Sequence, residues 1–169
     1  LCKVTDGANI DLKSFSDEIY LKLNAGKLQP ILDTLVTMKK EGVWLEITNL
    51  VVPSWTDNLE MIKKMCGWLA ENGFAETPLH FSRFMPLYKL TQLPPTPVNI
   101  LQNARDIAIK EGLKFVYVGN VPGVGNENTF CPKCNKLVVE RRGYSILQNN
   151  LTKGKCNSCG YAVAGVWED

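Results

Sequence analysis

Three short stretches of this chain alternate apolar and polar residues, the pattern of a strand with one buried and one polar face. In Ala8-Asn9-Ile10-Asp11-Leu12-Lys13, the residues Ala8, Ile10 and Leu12 fall on one side and Asn9, Asp11 and Lys13 on the other. Val43 to Val52 sets Val43, Leu45 and Ile47 against Trp44, Glu46 and Thr48. Pro78 to Phe84 sets Leu79 and Phe81 against His80 and Ser82. Phe115 to Val118 is a fourth strand, running into Gly119-Asn120-Val121-Pro122-Gly123.

Helical periodicity fills the intervals. Ser16-Asp17-Glu18 opens a short helix carrying Ile19, Tyr20 and Leu23. Pro30, in the first turn of the next, loses little by lacking an N–H. That helix presents Ile31, Leu32, Leu35, Val36 and Met38 before Gly42 ends it. Asp57 with Glu60 resembles a capping box for a third helix through Leu59, Ile62, Met65, Cys66 and Leu69, stopping near Gly73. After a proline-rich loop, Thr96-Pro97 reads as the N-cap and first residue of a fourth. Its apolar stripe is Ile100, Leu101, Ala104, Ile107 and Ala108, closed by Gly112.

The strands begin near residues 8, 43, 78 and 115, intervals of 35, 35 and 37. Strand-helix units at such a period imply parallel strands joined by right-handed crossovers. Parallel strands covered on both faces usually read as continuous apolar runs, whereas three of these keep a polar side. A sheet with its helices on one side, curved around a polar interior, accounts for that. The expected architecture is α/β: half of a TIM-like partial (β/α) barrel over residues 1–127, since a complete barrel takes about 250 residues.

Residues 128–169 change character. Cys131-Pro132-Lys133-Cys134 and Cys156-Asn157-Ser158-Cys159 are separated by 21 residues. Two such knuckles make a tetrahedral four-thiolate site, which defines a small zinc ribbon with a structural metal. Two disulfides or idle thiols are the plainer alternative, and spacing alone does not separate zinc from a single iron. Leu137 to Glu140, Tyr144 to Leu147 and Ala162 to Trp167 read as its strands. Lys133, Lys136, Arg141, Arg142, Lys153 and Lys155 make it basic, a pattern more often a solvated face than a nucleic-acid surface.

Composition narrows the class without naming it. The chain is 45% hydrophobic and 21% charged with a formal net charge of +2, which argues for a folded domain and against a strongly charged partner. No apolar run approaches the roughly 18 residues of a membrane span, and no signal peptide is visible. No membrane partner is expected, and the cytoplasm is the expected location. A first residue that is Leu rather than Met, entering a strand almost at once, suggests a piece of a longer chain.

Barrel sites collect at the carboxyl ends of strands, so the polar parities there supply the candidates. Asp11 and Lys13 are either a surface ion pair or ligand-holding groups. His80, the one histidine, is either a bonded core residue or part of a site. Glu46 points inward by parity, although it could equally pair with Lys13. Arg83 points outward unless the chain bends before Pro86, and Asn120 would reach the cavity mouth. Gly119 to Gly125 is glycine-rich but lacks the Gly-Lys-Ser/Thr ending of a P-loop.

The stretches Ala8 to Lys13, Val51-Val52-Pro53-Ser54-Trp55-Thr56-Asp57, Thr77-Pro78-Leu79-His80-Phe81-Ser82-Arg83-Phe84 and Tyr117 to Gly123, followed by the cysteine ribbon, occur in this order. Together they resemble the carboxyl-terminal part of the AmmeMemoRadiSam-system radical SAM enzymes, which are similar to pyruvate formate-lyase activating enzymes. The resemblance implies a six-stranded partial barrel holding a [4Fe-4S] cluster and S-adenosylmethionine, whose reductive cleavage gives a 5′-deoxyadenosyl radical for hydrogen abstraction. It places Asp11, Lys13 and His80 at S-adenosylmethionine, with Glu46, Arg83 and Asn120 as further cofactor-binding candidates. The family's Cys-x3-Cys-x2-Cys motif is absent from these residues. The resemblance therefore implies that the cluster belongs to a missing amino-terminal half of the barrel, the expected partner, and that this piece alone is inactive. The substrate, protein or small molecule, is left open. The alternative is a non-enzymatic zinc-ribbon module binding nucleic acid or a partner protein, although nucleic acid is not the expected partner.

Overall fold

The computed structural model describes residues 1–121 and 126–167 and divides the chain into two units, Leu1–Asn120 and Val121–Asp169. The division falls after Asn120, ahead of the one expected after residue 127. Pro122 to Gly125, within the glycine-rich stretch, lie outside the described residues.

The first unit is α/β. A short 3-10 turn, Cys2–Val4, precedes β1 (Gly7–Asp11). Then come α1 (Asp17–Asn24), α2 (Leu28–Lys40), β2 (Trp44–Val51), α3 (Leu59–Glu71), β3 (Leu79–Arg83), α4 (Val98–Lys110) and β4 (Val116–Gly119). The four strands are parallel and lie in chain order, with Asp11 opposite Thr48, Thr48 opposite His80, and His80 opposite Tyr117. That is the four-stranded wall expected of half a barrel.

Side-chain parity decides the two faces. Leu45, Ile47 and Val51 of β2, Leu79 and Phe81 of β3, and Val116 and Val118 of β4 are buried. The buried stripes of the helices complete this layer: Leu32, Leu35 and Met38; Ile62, Met65, Cys66 and Leu69; Leu101, Ala104 and Ala108. The small Ala104 and Ala108 let α4 approach β3 and β4 closely. On the other face Asn9 and Asp11 are exposed, while Glu46, Thr48, His80, Ser82 and Tyr117 are half-buried. Three helices end as expected, with Gly42, Gly73 and Gly112 in the left-handed region.

Two helix starts differ from expectation by one residue. Asn58, not Asp57, caps α3, its side-chain oxygen accepting the Met61 N–H at 2.9 Å. Pro97 occupies the cap of α4, because the Thr96 hydroxyl is used elsewhere. It accepts the Phe84 N–H at 3.0 Å and donates to the Val51 carbonyl at 2.5 Å, tying the proline-rich loop to the ends of β2 and β3.

A buried polar residue on the helix side makes a comparable tie. Asn49 donates to the Leu12 carbonyl at 2.7 Å, while the Tyr20 hydroxyl accepts the Lys13 N–H at 2.9 Å. Burial holds that phenol above its ordinary range, so it stays protonated. The backbone that presents Asp11 and Lys13 is thus held from two sides.

The second unit is built from β5 (Thr129–Phe130), β6 (Leu137–Arg142), β7 (Ser145–Asn149), β8 (Leu151–Thr152) and β9 (Lys155–Cys156). Strands β5, β6 and β7 form one antiparallel sheet, and β8 and β9 a two-stranded ribbon. The strand expected over Ala162 to Trp167 is absent; Ala162 makes only an isolated bridge to Lys155. The chain instead turns, with the Trp167 indole N–H donating to the Val163 carbonyl at 3.0 Å.

Replacing Thr96 by Val leaves a buried carbonyl and a buried N–H unpaired, and should lower stability by about 1–3 kcal/mol. Urea unfolding of the chain measures this, and an unchanged midpoint contradicts the role given to the hydroxyl.

Candidate functional site

Side chains on the open face of the sheet form layers along the strands. Nearest the amino-terminal ends are Asn9 and Glu46; next come Asp11, Thr48, His80 and Tyr117; beyond these lie Leu50, Ser82 and Gly119, with Lys13 two residues past Asp11 and Asn120 just past β4. The sheet register alone brings residues from all four strands to one surface.

Within it, His80 Nε2 lies 2.9 Å from Glu46 Oε2, and the imidazole stacks on Tyr117 with ring centroids 5.1 Å apart. Lys13 Nζ meets Asp11 Oδ2 at 2.8 Å. Among the described ion pairs, Glu46 meets His80 and Lys13 meets Asp11. Asn9 donates to the Thr48 hydroxyl at 3.1 Å. Asn120, with a positive φ of 60°, donates to Ser82 Oγ at 3.0 Å and so reaches back over the end of β3. Arg83 keeps its outward parity, and its Nε donates to the Thr96 carbonyl at 2.9 Å. It does not join the other five on the polar face.

The two ionic contacts differ in kind. The Asp11 and Lys13 side chains are 54% and 32% exposed, which leaves their attraction screened and worth about 0–1 kcal/mol. A ligand can part them cheaply. The His80 ring, by contrast, is fixed by a stack on one side and a hydrogen bond on another. Asp11 and His80 stand two strands apart, about 10 Å at ordinary strand spacing. The gap suits an elongated ligand with polar groups at intervals.

Sequence parity put Thr48 on this face without marking it as a site residue, and it passed over Tyr117, which the register of β4 brings to the same face. Asn49 left a different trace, being a polar residue on the apolar parity of β2.

The second candidate is the cysteine cluster. Four sulfurs about 2.3 Å from one ion at tetrahedral corners lie about 3.8 Å from each other. Here Cys131 Sγ is 3.6 Å from Cys159 Sγ, Cys134 Sγ is 3.8 Å from Cys156 Sγ, and all four lie within 4.8 Å of one another. None of the six cysteines is in a disulfide. The knuckles match: Asn135 and Gly160, each following a second cysteine, take positive φ and turn their N–H onto the first cysteine's carbonyl at 2.8 Å.

The electrostatics fit a cation. Burial raises the Cys156 thiol, but the N–H groups of Ser158 and Cys159 and the Cys134 and Cys131 thiols outweigh it and bring it to about 7. The Tyr161 N–H favours the Cys159 thiolate, yet burial and the three other thiols push that group up to about 12. Four sulfurs this close cannot all ionise unless a positive ion sits among them. Cys66 is a different case: core burial, then the Glu111 carboxylate, push it up to about 12, and it serves as packing.

No family model matches the chain. It is 45% identical over 160 residues to an uncharacterized protein, MJ0808, of Methanocaldococcus jannaschii, covering 94% of this chain and 48% of that protein. The chain thus spans about half the length of the curated relative it matches. Among solved structures it resembles a domain of pyruvate-formate lyase-activating enzyme from Bacteroides vulgatus, with a TM-score of 0.57, 14% identity, and 70% of each chain covered. At that identity the likeness establishes the fold. Among the described residues, no helix is long and apolar enough to cross a membrane.

The cysteine cluster should bind one tetrahedral ion per chain and release protons as it does, so that apparent affinity falls as pH is lowered. Replacing Cys131 by Ser should cost more than the roughly 10–100-fold that losing a supporting hydrogen bond costs a metal site. Titration with cobalt(II), read by its tetrahedral absorption spectrum, measures both effects. A chelator should speed amide exchange in residues 128–167 and leave the parallel sheet protected; equal effects on both units contradict the assignment.

Proposed function

We propose that this chain is the carboxyl-terminal half-barrel and metal ribbon of a radical SAM enzyme of the activating-enzyme kind, akin to those of the AmmeMemoRadiSam system. The observation that carries the reading is the layered polar face, where Asp11, Lys13 and His80 stand at or beyond the middle layer of a parallel sheet. A fold shared with a domain of an activating enzyme supports it.

S-adenosylmethionine fits the groups present. The Lys13 ammonium suits the methionine carboxylate, and the Asp11 carboxylate suits ribose hydroxyls or the amino group. These two side chains, only loosely paired, exchange each other for the ligand at small cost. Asn120, already reaching across Ser82, borders the same end of the sheet. When bound upstream, a [4Fe-4S] cluster supplies the electron that cleaves the sulfonium. Its ligands are not among these residues: the four ribbon thiolates close their own site and leave no open position for a substrate sulfonium. That closed site suits a structural ion, and we assign it zinc. The amino-terminal half of the barrel then completes the active site, in the cytoplasm, where thiolate ligands stay reduced.

A second reading rests on one feature of the ribbon. At the turn between β6 and β7, a fully exposed Tyr144 stands next to Arg141 and Arg142, an arrangement that stacks and holds single-stranded nucleic acid. Against it, a divalent ion on four thiolates carries a net charge of about −2, which offsets part of the ribbon's basic charge. Binding of a single-stranded RNA that weakens steeply with salt supports this reading; no binding at low salt removes it.

For the main reading, Asp11→Ala and His80→Ala in the full-length protein should each weaken S-adenosylmethionine binding by about tenfold or more. Equilibrium binding and the yield of 5′-deoxyadenosine measure this, and full cleavage by both variants overturns the site. The 169-residue chain should show no iron–sulfur absorbance after anaerobic reconstitution.

A further inference from the structure

We infer that Glu46 is a positioning residue: it locks the histidine of this chain with Nε2–H directed at its carboxylate, leaving Nδ1 as the nitrogen that meets a ligand. The inference deepens the function proposed above, and only its ligand-binding arm rests on that reading.

The register sets the geometry. Thr48 is opposite His80, so Glu46, two residues earlier on β2, sits one layer nearer the amino-terminal ends of the strands. Lys13, Ser82 and Asn120 lie at the other end. Glu46 therefore stands beneath His80, away from the end where a parallel sheet gathers its ligands. Reaching 2.9 Å to Nε2, the carboxylate engages the ring from below.

Two contacts then determine the imidazole completely. Stacking on Tyr117, at 5.1 Å and an interplanar angle of 25°, defines the plane of the ring. It does not distinguish the ring from its 180° flip about Cβ–Cγ, which leaves the plane unchanged and moves both nitrogens. The bond to Glu46 makes that choice. With Glu46 as the carboxylate, which only accepts hydrogen bonds, Nε2 is the donor of this pair. Nδ1 has no partner among the described residues. Among the described residues, Lys13 Nζ meets Asp11 at 2.8 Å and Arg83 Nε donates to the Thr96 carbonyl at 2.9 Å. Fixing a tautomer through the far nitrogen is what carboxylates do for metal-binding and catalytic histidines.

The chain has one histidine, so its ring nitrogens can be read without assignment by mutation. In the 169-residue chain, nitrogen-15 NMR should show a protonated Nε2. Glu46→Gln should keep that signature, since the amide oxygen still accepts, while Glu46→Ala should give averaged signals from both tautomers. A neutral ring protonated at Nδ1 in the unaltered chain overturns the inference without any variant, and so does an unchanged ring in Glu46→Ala. In the full-length protein, Glu46→Ala should bind S-adenosylmethionine about tenfold more weakly, with Glu46→Gln close to the parent. The Glu46→Ala/His80→Ala double variant should bind no more weakly than His80→Ala alone. Additive losses would mean that Glu46 touches the ligand itself, and overturn the positioning role. If the unaltered full-length protein binds no S-adenosylmethionine, the proposed function fails, and the ring-nitrogen result alone decides this inference.

Discussion

Covering a parallel sheet on one face only is the constraint from which the rest of the first unit follows. Helices α2, α3 and α4 bury the row that includes Leu45, Ile47, Leu79, Phe81, Val116 and Val118. The opposite row, one residue out of phase by strand geometry, is left half-exposed and must be polar to be tolerated. Once the strands are in parallel register, polar rows from neighbouring strands fall into layers without further instruction. Asp11, Thr48, His80 and Tyr117 share a layer because Asp11 pairs with Thr48, Thr48 with His80, and His80 with Tyr117.

That same alternation is why so much could be read from the residues alone. Period-two patterning gave β1, β2 and β3 and their faces, and the regular intervals gave the parallel order. What escaped were the points where a single hydrogen bond chooses between near-equivalent positions. Asp57 and Asn58 are both good caps, and only the loop geometry brings Asn58 onto the Met61 N–H. Thr96 has the chemistry of an N-cap but bonds instead across the ends of two strands. Glu46 had two possible partners by parity, and the choice of His80 depends on side-chain reach between adjacent strands. In the ribbon, Ala162 to Trp167 has strand-like residues, yet the turn closed by the Trp167 indole prevents a ladder.

The second unit obeys a different rule. Its buried cluster is Cys131, Val138 and Cys156, with Cys134, Leu151, Cys159 and Tyr161 packed around it. Cysteines are thus ligands and most of the core at once, so there is little apolar area to stabilise the fold without an ion. Spacing between the knuckles therefore carried nearly all the information, and the short strands follow from bringing four sulfurs together. Cys66 shows the contrast: a cysteine at a helical core position, surrounded by apolar side chains, has neither the neighbours nor the thiolate character for such a role.

Rigidity is distributed unevenly over the polar face, and the distribution bears on function. His80 is held by a stack on Tyr117 and a hydrogen bond to Glu46, and the backbone under Asp11 and Lys13 is clamped by Asn49 and Tyr20. The side chains of Asp11, exposed, and Lys13, half-buried, pair with each other among the described residues. A ligand arriving at the carboxyl ends of the strands meets one preset ring and two adjustable charges on a fixed backbone. Orientation is settled before binding at the ring, where a misaimed nitrogen would cost a hydrogen bond. Adjustment is confined to the long charged side chains, whose mutual attraction in water is weak enough to give up. On the function proposed above, a face built this way suits one elongated, charged ligand better than a metal ion or a flat surface.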